Sequence, residues 1–226
     1  MPRLFVILCL GRSGSTLLAE LLGSCPEIWM EGEILAGRSD SSWQAQTSRL
    51  ARFLASARAS GSQAAGFKAK LTDVLAPEDF RLLLREEGFH LVLLTRRDVV
   101  KQALSWIYAD RLFERYGVWN VTRDGIDFEP LAVDGAELVR RIKILERGRE
   151  ALLRFVDTCG LSITRVGYEV LQESPPAEAG RVARALGVTP SLGLESRLRK
   201  HTPDRLIDAV ANPAEVLAHL AAAGYL

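Results

Sequence analysis

The chain has 226 residues and sets 29 Lys and Arg against 28 Asp and Glu, for a net charge of +1. A balance this close excludes a global field that would recruit nucleic acid or an anionic membrane, so any anion site has to be local. Hydrophobic content of 48% with 25% charged residues is that of an ordinary globular core, and no apolar run approaches the ~20 residues of a spanning helix.

Cys9, Cys25 and Cys159 are odd in number and unpatterned in spacing, which excludes a disulfide framework and offers no CxxC pair for zinc. A reducing, cytoplasmic setting is the expectation. Arg3 followed by an apolar run is reminiscent of a signal segment, but polar residues follow the short run at once, and no leader is expected.

Leu4 to Leu10 is apolar with β-branched members and predicts a strand that stops at Gly11; helical spacing opens at Ser15 and lasts to Leu22. The loop between them, Gly11-Arg12-Ser13-Gly14-Ser15-Thr16, supplies two glycines, a cation, three hydroxyls and the N–H groups of a helix start. Together these suit a phosphate. The usual phosphate loop, GxxxxGK[ST], has a lysine where this chain has Ser15, and the nearby cation is Arg12, earlier in the loop. That departure counts against an ATP-type enzyme.

Gly23 to Glu27 predicts a turn, and in the following IWMEGEIL the glycine Gly32, between Glu31 and Glu33, is expected to break any regular element. A helix follows over Trp43 to Ala59, then a short strand over Ala64 to Leu71. Lys68 and Lys70 alternate to one side of that strand, where they can line an acceptor cleft or a solvated edge. Another helix runs from Pro77 to near Gly88.

His90 to Thr95 is almost continuously apolar, as a strand covered on both faces should be. Arg96-Arg97-Asp98 follows, with Asp98 placed to cap a helix from Val99 to Phe113. Residues 117–131 hold no periodicity and read as an inserted loop. A long helix over Val133 to Thr158, a last strand over Leu161 to Val166, a helix over Ala177 to Leu186 and a mostly helical end from Leu194, broken at Pro203 and Pro213, complete the chain. Strands alternating with helices predict an α/β fold: a P-loop-like, mostly parallel sheet flanked by helices, in a single domain over 1–226, with ligands at the carboxyl ends of the strands.

No His, Cys, Asp or Glu cluster has metal-ligand spacing, so no metal is expected, and Ser13 has no identifiable His and Asp partners. His90 and His219 read as structural. Trp106, Tyr108, Tyr116 and Trp119 can form a sugar-stacking wall or serve as packing.

Several segments, in order, resemble one family. RSGSTLL is similar to the 5′-phosphosulfate loop of sulfotransferases that use 3′-phosphoadenosine 5′-phosphosulfate (PAPS), closest to the bacterial carbohydrate, trehalose 2-sulfotransferase-like branch. RRDVVKQALSW resembles the family's 3′-phosphate segment, whose arginine and serine stand eight apart, as Arg97 and Ser105 do. Arg96 would assist. TRVGYEVL and ARALGV look like the family's YEDL and FLG segments, with Val170 and Ala185 as departures; the resemblance implies Tyr168 against the adenine, with Glu169 its structural neighbour. LRKHTPDRLIDAVANPAEVLAHL resembles the family's end, which implies a nucleotide contact for Lys200, although Arg197, Arg199 and Lys200 also fit a basic helix face.

The resemblance implies transfer of a sulfuryl group from PAPS to a hydroxyl of a carbohydrate or small metabolite by in-line displacement, without metal. Arg12, Ser13, Gly14, Ser15 and Thr16 would hold the phosphosulfate, and Arg12 would stabilise the leaving oxygen. The family's Gly-Glu segment after the first helix makes Glu33 the base. From the residues themselves, Glu31 and Glu33 would share one side of an extended chain, and their repulsion would raise a carboxyl pKa towards the working range of a base. His201 is the next candidate. A P-loop-like kinase or phosphotransferase and a non-catalytic nucleotide-binding module are the alternatives to this reading. Nucleic acid and membrane are not expected partners.

Overall fold

A computed structural model describes residues 1–37, 42–121, 128–198, 202–203 and 205–226. Lys200 and His201, two of the residues singled out above, lie outside the described residues. Contacts divide the chain into one compact unit of Met1–Arg97 with Gly148–Ser196 and another of Asp98–Arg147 with Arg197–Leu226.

The apolar runs become strands of the first unit: β1 (Arg3–Cys9), β2 (Ile28–Glu31), β3 (Ala64–Lys70), β4 (His90–Thr95) and β5 (Ile163–Gly167). They form one sheet in the order β2-β3-β1-β4-β5, with every neighbouring pair parallel. Parallel neighbours need crossovers, and α1 (Ser15–Gly23), α2 (Trp43–Ala59) and α3 (Pro77–Glu86) lie in those between the first four strands; α6 (Tyr168–Glu173) and α7 (Pro175–Ala185) follow β5.

Alternation along the strands sorts the core into two faces. Phe5, Ile7 and Cys9 of β1 point to the face covered by Leu18, Leu21 and Leu22 of α1 and by Ala179, Val182 and Ala183 of α7. On the other face Phe67 of β3 meets Phe53 of α2 edge-on, with centroids 4.9 Å apart, and Phe53 stacks on Trp29 of β2. Gly66, opposite Phe5 in the ladder, leaves the space that the Phe5 ring fills. A Cβ at Gly66 would lie 2.4 Å from Phe5 Cζ. Gly66→Ala is therefore expected to destabilise the protein by about 1–3 kcal/mol, the usual cost of overpacking a core. Chemical denaturation checks it, and an unchanged midpoint would mean that the Phe5 ring shifts freely.

His90 is buried at the start of β4, with Nε2 2.8 Å from Thr164 Oγ1 of β5. Burial, seconded by the Arg3 charge, holds its pKa below the usual histidine range, which fits the structural role expected of it. All three cysteines are buried free thiols.

IWMEGEIL holds a short strand that the sequence did not predict, β2, which ends at Glu31, so that Gly32 breaks it as expected. One expectation needs correction. The end of the chain is less helical than its spacing suggests. Leu194 joins the core beneath α1 and α7. The Glu195 amide donates to Ser24 Oγ, and Ser196 Oγ donates to Glu20. Those contacts hold the segment without helix; the next regular elements among the described residues are α8 (Leu206–Ala209) and α9 (Pro213–Ala222).

In the second unit α4 (Val99–Tyr116) is capped by the Asp98 carboxylate on the Lys101 amide, as the sequence implied. The first half of α5 (Gly135–Cys159) accompanies it, and the ring of His219 on α9 rests directly on Gly135. Tyr108 is buried; its hydroxyl donates to the Ala209 carbonyl and accepts from the Leu131 amide. That removes it from any sugar-stacking wall. Trp106 lies beneath the Arg141 guanidinium, and Trp119 stacks on Phe113 with centroids 4.5 Å apart. Among the described residues no helix is long and apolar enough to cross a membrane.

Candidate active site

Because the sheet is all parallel, the five carboxyl ends of its strands share one edge, and the candidate residues of the first unit sit there. Across the edge in strand order stand Glu33 after β2, Lys68 and Lys70 in the last turns of β3, the 11–16 loop after β1, Arg96 and Arg97 after β4, and Tyr168 after β5. β1 continues towards β2 on one side, whereas β4 lies on its other side, so the loop occupies the point where strand order reverses. That is where open α/β sheets bind ligands.

The loop is built to expose amides. Arg12 and Gly14 both take left-handed backbone, at φ 62° and 89°, and Arg12 is the one non-glycine residue to do so among the described residues. For arginine this costs about 1–3 kcal/mol, a strain that collects at functional loops. Ser13 is buried and donates its hydroxyl to the Leu10 carbonyl, 2.8 Å away, which braces the turn. Its side-chain proton is thereby committed inward. Gly14 caps α1 without a side chain, and no acidic residue stands in the first turn. The amides of Ser15, Thr16 and Leu17 have no carbonyl inside the helix to bond, and the helix dipole adds positive potential where they point. This donor set fits a phosphate or sulfate oxygen.

Lys68 reaches the same helix start. Its ammonium donates to Thr16 Oγ1 at 2.8 Å and lies 3.3 Å from Glu33 Oε1. Lys70, two residues along the same side of β3, lies 3.2 Å from Glu33 Oε2 and 3.3 Å from Asp73. Each carboxylate oxygen of Glu33 thus has its own ammonium. Burial pushes the Glu33 carboxyl up, but Lys68 and Lys70 outweigh it and the net pKa falls below the usual carboxylate value. The expected upward shift from Glu31 is not found, because β3 brings two cations against Glu33.

On the other side of the loop Arg96 is buried at 8% exposure and donates from Nη1 to the Arg12 carbonyl at 3.2 Å. Its guanidinium carbon lies 4.3 Å from the centroid of the Tyr168 ring. Arg97 is the opposite case: its side chain is 87% exposed, while its amide is held by Glu169 Oε1 at 2.9 Å. Glu169 Oε2 also lies 3.8 Å from Arg97 Nε. Ser105 lies in α4, within the second unit, and is half-buried.

Sequence reasoning missed Arg149 of α5, whose Nη2 donates to the Arg96 carbonyl. No motif surrounds it, and a helix residue of this kind is found only through the fold. It also left the role of Lys68 open, although the Lys68 and Lys70 alternation was the signal. Among the described residues no group of His, Cys, Asp and Glu could hold a metal ion.

No curated protein sequence matches the chain. Among solved structures it is similar to a sulfotransferase from Alicyclobacillus acidocaldarius, at 15% identity and a TM-score of 0.55, with 98% of this chain and 95% of that one covered. It is also similar to the sulfotransferase domain from the curacin biosynthetic pathway, at 14% identity and a TM-score of 0.51, covering 95% and 83% of the two chains. At such identities the likeness is one of fold. The sequence itself matches the Stf0 sulphotransferase family over residues 74–210, which take in Arg96, Arg97, Ser105 and Tyr168, whereas the 11–16 loop and Glu33 precede the matched span. That span is more than half of the chain, which therefore belongs to the Stf0 sulphotransferase family and is a sulfotransferase-family enzyme.

Proposed function

We propose that the protein transfers a sulfuryl group from PAPS to a hydroxyl of a carbohydrate or other small metabolite. The observation that carries this reading is Lys68, which touches the helix start of the anion loop at Thr16 and the carboxylate of Glu33 at once. It puts a candidate base beside a candidate phosphosulfate site.

In this reading the amides of Gly14, Ser15 and Thr16 and the Arg12 cation hold the 5′-phosphosulfate and favour negative charge on the leaving oxygen. The bound donor supplies the sulfuryl group. Glu33 accepts the proton of the acceptor hydroxyl, with Lys68 and Lys70 fixing its carboxylate and keeping it ionised. Arg97 is assigned to the 3′-phosphate because its fork suits phosphate oxygens and its side chain is exposed, with Glu169 3.8 Å from Nε as its ion-pair partner. Ser105 and Lys200 have nucleotide roles from the sequence resemblance alone.

A titration of 3′-phosphoadenosine 5′-phosphate against ATP and AMP tests the reading. Preference for the 3′-phosphorylated nucleotide supports it; preference for ATP, with turnover that requires magnesium, would replace it with a phosphotransferase. Arg97→Ala is expected to weaken the 3′-phosphorylated nucleotide about 10- to 100-fold more than AMP, since a charged hydrogen bond contributes ~1.5–3 kcal/mol. Equal weakening of both ligands would remove the 3′-phosphate from Arg97.

A further inference from the structure

Both left-handed residues of the loop are braced from one direction. The Arg12 carbonyl accepts from Arg96 Nη1 at 3.2 Å. At Gly14 the Tyr168 ring lies so close that a Cβ would stand 2.5 Å from its Cδ2. The two braces are tied together, because the Arg96 guanidinium covers a face of the Tyr168 ring at 4.3 Å from the centroid. Arg96 is itself held: it is 8% exposed, and its carbonyl accepts from Arg149 Nη2. Arg96 and Tyr168 come from the ends of β4 and β5, and β4 is the strand beside β1, so the arrangement is fixed by the sheet.

We propose that Arg96 and Tyr168 form a latch that presets the 11–16 loop for its anion, so that both are positioning residues acting through the loop. The resemblance gave them other work, with Arg96 assisting at the 3′-phosphate and Tyr168 against the adenine. The ring face under the guanidinium is closed to a base, and Arg96 Nη1 is given to the Arg12 carbonyl. The loop needs such a brace because it contains a strained residue, and a strained loop left to itself relaxes. An anion site whose donors are fixed in advance binds without reorganising them.

The inference rests on the loop being the phosphosulfate site, and its test has one arm that needs no ligand. Amide hydrogen exchange is followed in the full chain for Arg96→Met, Arg96→Lys, Tyr168→Leu and Tyr168→Phe. Arg96→Met and Tyr168→Leu are expected to speed exchange of the Leu18 amide, which donates to the Gly14 carbonyl at 3.1 Å, by about tenfold, with β3 unchanged. Arg96→Lys keeps the charge but loses the planar stack, and should fall between. Tyr168→Phe keeps ring and stack and should match the parent. In the second arm, AMP and 3′-phosphoadenosine 5′-phosphate should weaken by the same factor in Arg96→Met, because both carry the 5′-phosphate. Unchanged exchange of the Leu18 amide, or a loss confined to the 3′-phosphorylated ligand, would overturn the latch. If the parent protein binds neither nucleotide, the functional reading fails and the exchange arm still decides the latch.

Discussion

Glu33→Gln is expected to lower turnover by about 10²–10⁴-fold, the usual size of a general-base contribution, while nucleotide affinity stays within a few-fold. The amide keeps the shape of the side chain and removes its ability to take a proton. It also leaves Lys68 and Lys70 without their shared carboxylate, so any change in nucleotide affinity should be towards tighter anion binding. The pH profile separates this role from a structural one. A base with a depressed pKa is ionised above that value, so the acid limb of kcat/KM should lie below the ordinary carboxylate value of 4.5. Lys70→Met removes one of the two cations and should move that limb upwards. The stability linkage has the same sign: Glu33 contributes stability above its unfolded pKa, lost as pH falls through the folded one. Near-normal turnover in Glu33→Gln would show that the proton goes elsewhere.

The sheet was legible wherever burial on both faces writes a continuous apolar run, as in Leu4–Leu10 and His90–Thr95. β2 was not, because a four-residue edge strand that pairs only with β3 leaves little pattern, and Gly32 follows it directly. Leu194 to Leu198 failed in the other direction: helical spacing was present, but core packing of Leu194 and bonds to Glu20 and Ser24 won. In the candidate site, Arg12, Gly14 and Arg97 carry local motifs and could be read. The Glu33 clamp could not. It depends on β2 lying beside β3, a pairing that no local pattern specifies, and the sequence argument therefore sought the neighbour of Glu33 in Glu31. Tyr168 shows the same limit, since its nearest partners, Gly14 and Arg96, lie far from it in sequence.

The two glycines of the loop should respond oppositely to the same substitution. Gly11 has no positive φ and nothing within 4 Å of an added Cβ, so Gly11→Ala should leave nucleotide affinity and turnover near the parent's. Gly14 has φ 89° and the Tyr168 ring 2.5 Å from the new Cβ. Left-handed backbone at a non-glycine residue costs about 1–3 kcal/mol, and displacing a packed ring about 1–3 kcal/mol more. Together these exceed what the loop can absorb without changing shape. The amides at the head of α1 turn with Gly14, so Gly14→Ala should weaken 3′-phosphoadenosine 5′-phosphate by at least about thirtyfold, at about 1.4 kcal/mol per tenfold. The two costs can be separated. In a Tyr168→Leu background the ring collision is gone and only the backbone term remains, so adding Gly14→Ala there should cost less than it does in the parent. Equal costs in both backgrounds would place the whole effect in the backbone and remove Tyr168 from contact with the loop.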